Sequence, residues 1–575
     1  MTFILGFLKK YKIEALLAPF LKMSEALLEL FVPFVIADII DSGIPLGDRS
    51  FIVNKALVLL LLAFAGLVFS VTAQYLSARA AVKTAADMKS ALFKKITSFS
   101  YSQLDNIGTS ALITRMTSDI NQVQSGINLT LRLFLRSPFI VFGAMIMAFI
   151  LDRREAVIFV VMIIVMSVIV FAVMGITLPR HKKVQSAVDS LTLTARENVT
   201  GVRVIRAFGS EDKQKDVFNT KNEFLNKSQR VVAAVSSLTN PLTLVVVNLA
   251  VAALITSGAV KVNAGELTPG TVVALYNYLT QILTELIKLA NLIVNITKSL
   301  AGADRIAAVF NTETEKAEPD LLTKPYDENA PVIAFKNVSF KYDRAGEPSL
   351  ENINFELFPG KKLGVIGATG SGKSTLGFLA SGFYSAFDGN IDVFGSDIRK
   401  YDKSFLNTVI SVVEQKAVLF KGSVRDNILI GAPSADDGEI ISALKTAQAY
   451  DFIKQKDGFL DFVIEQNGRN LSGGQRQRLT VARAVVKRPQ LLILDDCSSA
   501  LDYATDSLMR SAVDSLDCKP AQIIISQRVA SVRNADRILV LDDGEPAGYG
   551  THDELYANCD VYKEICHSQL GKEGE

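Results

Sequence analysis

The sequence predicts a membrane α-helical bundle of six long transmembrane helices followed by an α/β domain. Three observations carry that expectation. Residues 56 to 78, 156 to 178 and 231 to 260 contain no charge at all. After residue 298 such runs stop. From there on, short strand-like runs (KKLGVIG, LLILD, QIIIS) alternate with helical ones, the pattern of buried parallel strands.

Crossing about 30 Å of hydrocarbon takes roughly 20 apolar residues in a helix, because every backbone polar group must be satisfied within the segment. With 49% hydrophobic residues in a 575-residue chain, six stretches qualify, about 15–40, 56–78, 133–151, 156–178, 235–260 and 267–297. Three of them are interrupted: the first by Lys22, Glu25, Glu29 and Asp38, the third by Arg136 alone, and the last by Glu285 and Lys288. TFILGFL near the start is too short to span and reads as part of an interfacial helix over 2–12. Lys9, Lys10 and Lys12 and the basic links 79–132 and 180–230 place those sides in the cytoplasm, so both termini are expected inside the plasma membrane.

Residues 1–311 are therefore read as the transmembrane domain, 312–331 as a linker with three prolines, and 332–575 as the α/β domain. Cys497, Cys518, Cys559 and Cys566 lack metal-ligand spacing and are expected as free thiols. A net charge of +2 spread over both halves gives no footprint for nucleic acid.

GATGSGKST at 367–375 fits G-x-x-x-x-G-K-[ST] between a strand and a helix. Gly367, Gly370, Ser371, Gly372 and Thr375 would turn backbone N–H groups toward phosphate, Lys373 would reach the β- and γ-phosphates, and Ser374 would bind Mg²⁺. The domain is expected to be a P-loop nucleotide-binding domain. About a hundred residues on, Leu471, Ser472, Gly473, Gly474 and Gln475 open a helix, with Ser472 at the N-cap.

Together with LLILDD at 491–496, these residues resemble the ATP-binding cassette signature, and the whole chain resembles an ABC transporter, an exporter-type half-transporter. The resemblance implies further roles. Tyr342 would stack on adenine, Gln415 and Asp495 would help hold Mg²⁺, and Asp502 would lie in the loop that touches the partner. Stretches at about 105–120 and 197–218 would be the cytoplasmic coupling loops. Because each ATP in the family lies between the P-loop of one cassette and the signature of another, the chain is expected to work as a dimer.

Two positions depart from the family pattern. Asp496 stands where the general base is normally Glu, and Gln527 stands where a His contacts the γ-phosphate. A carboxylate one methylene short falls back from the water it should polarise, and glutamine can donate a hydrogen bond but cannot take up a proton or a positive charge. EQNG at 465–468 also departs from the usual GE-x-G. The intact signature beside an altered own site resembles heterodimeric multidrug exporters, in which one composite site hydrolyses ATP and the other mainly holds it. The expected partners are a second homologous half-transporter, the lipid bilayer and a hydrophobic or amphipathic compound. A homodimeric lipid or peptide exporter and an ATP-gated channel are the alternatives.

Glu25 and Glu29 lie on one face of the first span with Lys22, and Glu285 is a helix neighbour of Lys288. They read either as a substrate cavity that favours cationic compounds or as interhelical pairs.

Overall fold

The computed structural model describes residues 2–312, 321–343, 345–497 and 501–570, so part of the expected linker, 313–320, lies outside the described residues. The chain divides into two compact units, 1–97 with 110–312, and 98–109 with 313–575.

The first unit is helical. Five helices have the length and apolarity to cross a membrane: Arg49–Thr97, Thr109–Leu151, Arg153–Thr200, Glu211–Asn263 and Pro269–Asn311. The first expected span lies within the 27-residue helix Lys12–Asp38, whose charges set it apart from the other five. Leu60, Leu61 and Phe64 on the second helix are more than 60% exposed in the isolated chain, as apolar side chains turned toward hydrocarbon should be. Small residues let the backbones approach. A side chain at Gly143 would meet the Leu30 side chain at 2.4 Å, and one at Gly126 would meet Ser299 at 2.2 Å. A buried core of Phe159, Met162, Met166, Leu254, Leu275, Tyr278 and Ile282 joins one end of the helices. Nearer the other end, the Arg305 guanidinium grips the buried Asp119 carboxylate through two bonds of 2.9 and 2.6 Å.

The carboxylates of the apolar helices sit among basic side chains, the arrangement expected of interhelical pairs. Arg136 donates to Glu285 at 2.6 Å and to Glu29 at 2.7 Å, and Ser137 donates to Glu285 at 2.7 Å. Lys22 pairs with Glu25 at 2.6 Å, and Lys288 with Glu285 at 2.8 Å. Three carboxylates thus face three cations across three helices. An unpaired charge at this depth is costly, and the balanced cluster avoids that cost.

The second unit is built on a six-stranded sheet ordered Glu545–Gly550, Arg537–Asp542, Lys362–Gly367, Ala521–Ile525, Leu491–Asp495 and Ile410–Val413. All its pairings are parallel except the one between the first two strands. The apolar runs read from the sequence are fully buried strands, as Leu491–Asp495 and Ala521–Ile525 show. A second sheet of four strands is antiparallel and contains Ile333–Phe340 and Leu350–Leu357. The helix Tyr101–Ile107 belongs to this unit, so the segment grouped with it, 98–109, begins earlier than the expected loop at 105–120.

Candidate functional site

In an open parallel sheet, ligands gather outside the carboxyl ends of the strands. Three neighbouring strands end together here: Val365 pairs with Ile525, and Ile525 with Asp495. The phosphate loop leaves the first strand, Ser526 and Gln527 leave the second, and Asp496 leaves the third. Parallel register thus brings together residues up to 160 positions apart. The resulting cavity, about 450 Å³, is lined by Tyr342, Gly370, Gly372, Lys373, Ser374, Thr375, Gln415, Asp495, Asp496 and Gln527.

The loop can take this path because Gly370 and Gly372 both adopt φ of +89°, where a side chain is strained. A Cβ on Gly367 would lie 2.1 Å from the Leu541 carbonyl oxygen, so the loop entry is closed to any larger residue. Lys373 Nζ donates to the Gly367 and Ala368 carbonyls at 3.0 and 2.5 Å and lies 3.3 Å from Ser371 Oγ. Burial lowers the Lys373 pKa, against the opposing pull of Asp495 and Asp496. Burial also raises the pKa of Asp495, opposed by its hydrogen bond from Ser374. Tyr342 OH lies 3.2 Å from Thr375 Oγ1, which ties the aromatic side of the cavity to the loop.

Ser374, Asp495 and Gln415 present hydroxyl, carboxylate and amide oxygens to one cavity. An all-oxygen donor set around a buried carboxylate suits a hard cation, so these residues fit Mg²⁺. Held by Ser374, Gln415 and Asp495, such an ion would supply positive charge beside a bound triphosphate.

The catalytic positions differ in kind. Asp496 has φ of +43°, uncommon for a residue with a side chain, and its N–H donates to the Ile525 carbonyl at 2.9 Å. Its carboxylate accepts from Gln415 Nε2 at 3.3 Å. Burial raises its pKa, opposed by Gln415, Arg528 and Lys373. Gln527 Oε1 accepts a long 3.5 Å bond from Thr369, and its backbone carbonyl accepts from Gln569 Nε2 at 2.6 Å. Sequence reasoning missed Thr369, Arg528 and Gln569. The first lies inside the loop motif, but no motif marks the other two.

The signature residues stand apart from this cavity. Ser472 Oγ accepts from Gln475 N at 3.3 Å, and Gln475 Oε1 accepts from Ser472 N at 3.0 Å, a reciprocal cap on the helix Gly473–Val485. Leu471 is buried beneath that turn, whereas Ser472 and Gly473 are exposed. Asp502 caps the helix Tyr503–Asp514 by accepting from Thr505.

Residues 15–286 match the family description ABC transporter transmembrane region, and residues 350–499 match ABC transporter. The chain is 32% identical over 570 residues to the uncharacterized ABC transporter ATP-binding protein YfiB of Bacillus subtilis (strain 168), covering 99% of each chain. It is 29% identical over 546 residues to the ATP-dependent lipid A-core flippase of Salmonella typhimurium, covering 95% of this chain and 93% of that one. Its fold is similar to that of a bacterial Atm1-family ABC exporter with ATP bound, at a TM-score of 0.81, 22% identity and 99% coverage of both chains.

Proposed function

The chain belongs to the ABC transporter family, as an exporter-type half-transporter with a transmembrane region and an ATP-binding cassette, and on that premise we propose that it is one subunit of a heterodimer with unequal nucleotide sites. Its own loop holds ATP and cleaves it slowly. Its signature completes the partner's hydrolytic site. The observation that carries this reading is Asp496, a short carboxylate that accepts from Gln415 at 3.3 Å and stands at the position where the family has its general base.

General base catalysis contributes about 10² to 10⁴ in rate, and it requires the base within roughly 3 Å of the proton it takes. Asp496 stands on the cavity wall but reaches less far than a glutamate would. Gln527 orients polar atoms but delivers no proton. Lys373, Ser374, Asp495 and Gln415 remain suited to binding, so nucleotide is retained and keeps two cassettes in contact. Turnover at the other site drives the change between inward- and outward-facing states. The short helix Val202–Ala207 and the residues after it, with Val204 61% and Phe208 79% exposed, support docking of the 197–218 loop on the partner's cassette.

The exported compound is hydrophobic or amphipathic. In the transmembrane unit, Met23, Leu27, Phe31, Pro138, Phe142 and Ile146 line an apolar groove of about 470 Å³, a shape suited to acyl or aromatic groups. Relatives named as lipid A-core flippases support a lipid. The pairing of Arg136 with Glu29 and Glu285 leaves that guanidinium committed to carboxylates rather than to a lipid phosphate.

Co-purification followed by paired substitution tests the proposal. The chain should bring down a second, similar subunit with Glu after its own Walker Asp. Asp496→Asn should leave most ATPase activity, while the equivalent change in the partner should remove it. Equal losses, or a homodimer with full turnover, would overturn the asymmetry.

A further inference from the structure

The seven-residue helix Tyr101–Ile107 reaches Tyr342's surroundings at four points. Ser102 Oγ and Asn106 Nδ2 both donate to the Asp343 carboxylate, at 2.8 and 2.5 Å. Asp343 directly follows Tyr342 in the chain. Asp105 accepts from the Tyr384 hydroxyl, and the Tyr384 ring meets the Tyr342 ring edge-on at 5.4 Å. Tyr101 stacks on Phe383, with ring centroids 4.3 Å apart. The helix itself is well fixed, because Ser100 and Gln103 cap its start reciprocally.

These contacts have a common consequence. The Tyr342 side chain is bounded by Thr375 of the phosphate loop and by Tyr384, and its backbone is held next door at Asp343. Two of these three restraints are themselves fixed by the 98–109 segment. The two donors lower the Asp343 pKa, and burial with the Asp105 carboxylate raises that of Tyr384, so the acceptor stays ionised and the phenol stays a donor.

We propose that Asp343 and Tyr384 are positioning residues for Tyr342, and that the helix Tyr101–Ile107 forms the rear wall of the base-binding side of the nucleotide site. Base binding and the order of this segment are then linked reciprocally: whatever steadies one steadies the other. The inference rests on the reading that Tyr342 stacks on the base.

Equilibrium binding to the full chain, purified in detergent, tests it with two probes, ATP and inorganic triphosphate, each with Mg²⁺. Asp343→Ala, and Ser102→Ala with Asn106→Ala, should each raise the Kd for ATP about five- to tenfold while leaving triphosphate binding unchanged. Tyr342→Ala separates the two levels. If it fails to weaken ATP relative to triphosphate, the stacking reading is wrong. If it weakens ATP but the Asp343 and Ser102/Asn106 variants do not, only the present inference is wrong. Hydrogen exchange on the unmodified chain gives a second measurement that does not depend on any variant folding. ATP should slow exchange across 101–107 more than triphosphate does, and equal slowing by both, or none, would overturn the proposal.

Discussion

The phosphate loop from Gly367 to Thr375 and the strand ends at Asp496 and Gln527 face one cavity, yet they depart from the family pattern to different degrees. The loop carries every residue its motif requires, and Gly370 and Gly372 take dihedrals that only glycine adopts readily. Across the cavity, the base position is one methylene short and the imidazole position is an amide. On the proposed reading, the two halves differ in what their chemistry requires. Holding a triphosphate depends on backbone N–H groups and one cation, which neither alteration touches. Cleaving it, on the proposed reading, depends on the reach of the side chain at position 496.

Breaking the intact half should have the largest effect. Lys373→Ala removes the one cation the loop offers, and should weaken ATP binding at this site about a hundredfold, as truncating a desolvated charged contact generally does. Equilibrium binding of labelled ATP to the purified transporter reads this. Restoring the altered half should come next. Asp496→Glu should raise phosphate release from this site about tenfold to a hundredfold, part of the full worth of a general base, measured with the partner's hydrolysis disabled.

Gln527→His added to Asp496→Glu should give a smaller gain, about threefold, and bring an inflection near the ordinary imidazole pKa of about 6.5 into the pH profile. The smallest effect sharpens the contrast with the signature. Ser472→Ala removes a helix cap worth about 1 kcal/mol, and should lower cassette stability by that amount in a denaturant titration while slowing only the partner's site.

The motifs made the family and the order of the two regions legible, because each carries its chemistry in a short run whose spacing survives in sequence. The balance of charge in the membrane was not legible. Arg136 meets Glu29 and Glu285 across 107 and 149 positions, and a lone arginine in an apolar run does not announce its partners. The acidic residues could therefore be read either as a cavity or as pairs, and the pairs become visible only in the tertiary contacts. The positive φ of Asp496 was hidden for a similar reason. It arises where the chain leaves the buried strand Leu491–Asp495, and it is pinned by a backbone bond to Ile525 of the neighbouring strand. The contacts to Asp343 and Tyr384 come from Ser102, Asp105 and Asn106, at and just before the start of the stretch at 105–120, and no motif in the sequence marks those pairings.

The most direct test of unequal sites is a single-turnover measurement on the purified pair, with ATP bound at this chain's loop and the partner's own base carboxylate replaced by its amide. The account predicts that this ATP stays intact over a time in which the unaltered pair turns over many times. Brisk release of phosphate from that site, at a rate near that of the unaltered pair, would contradict it.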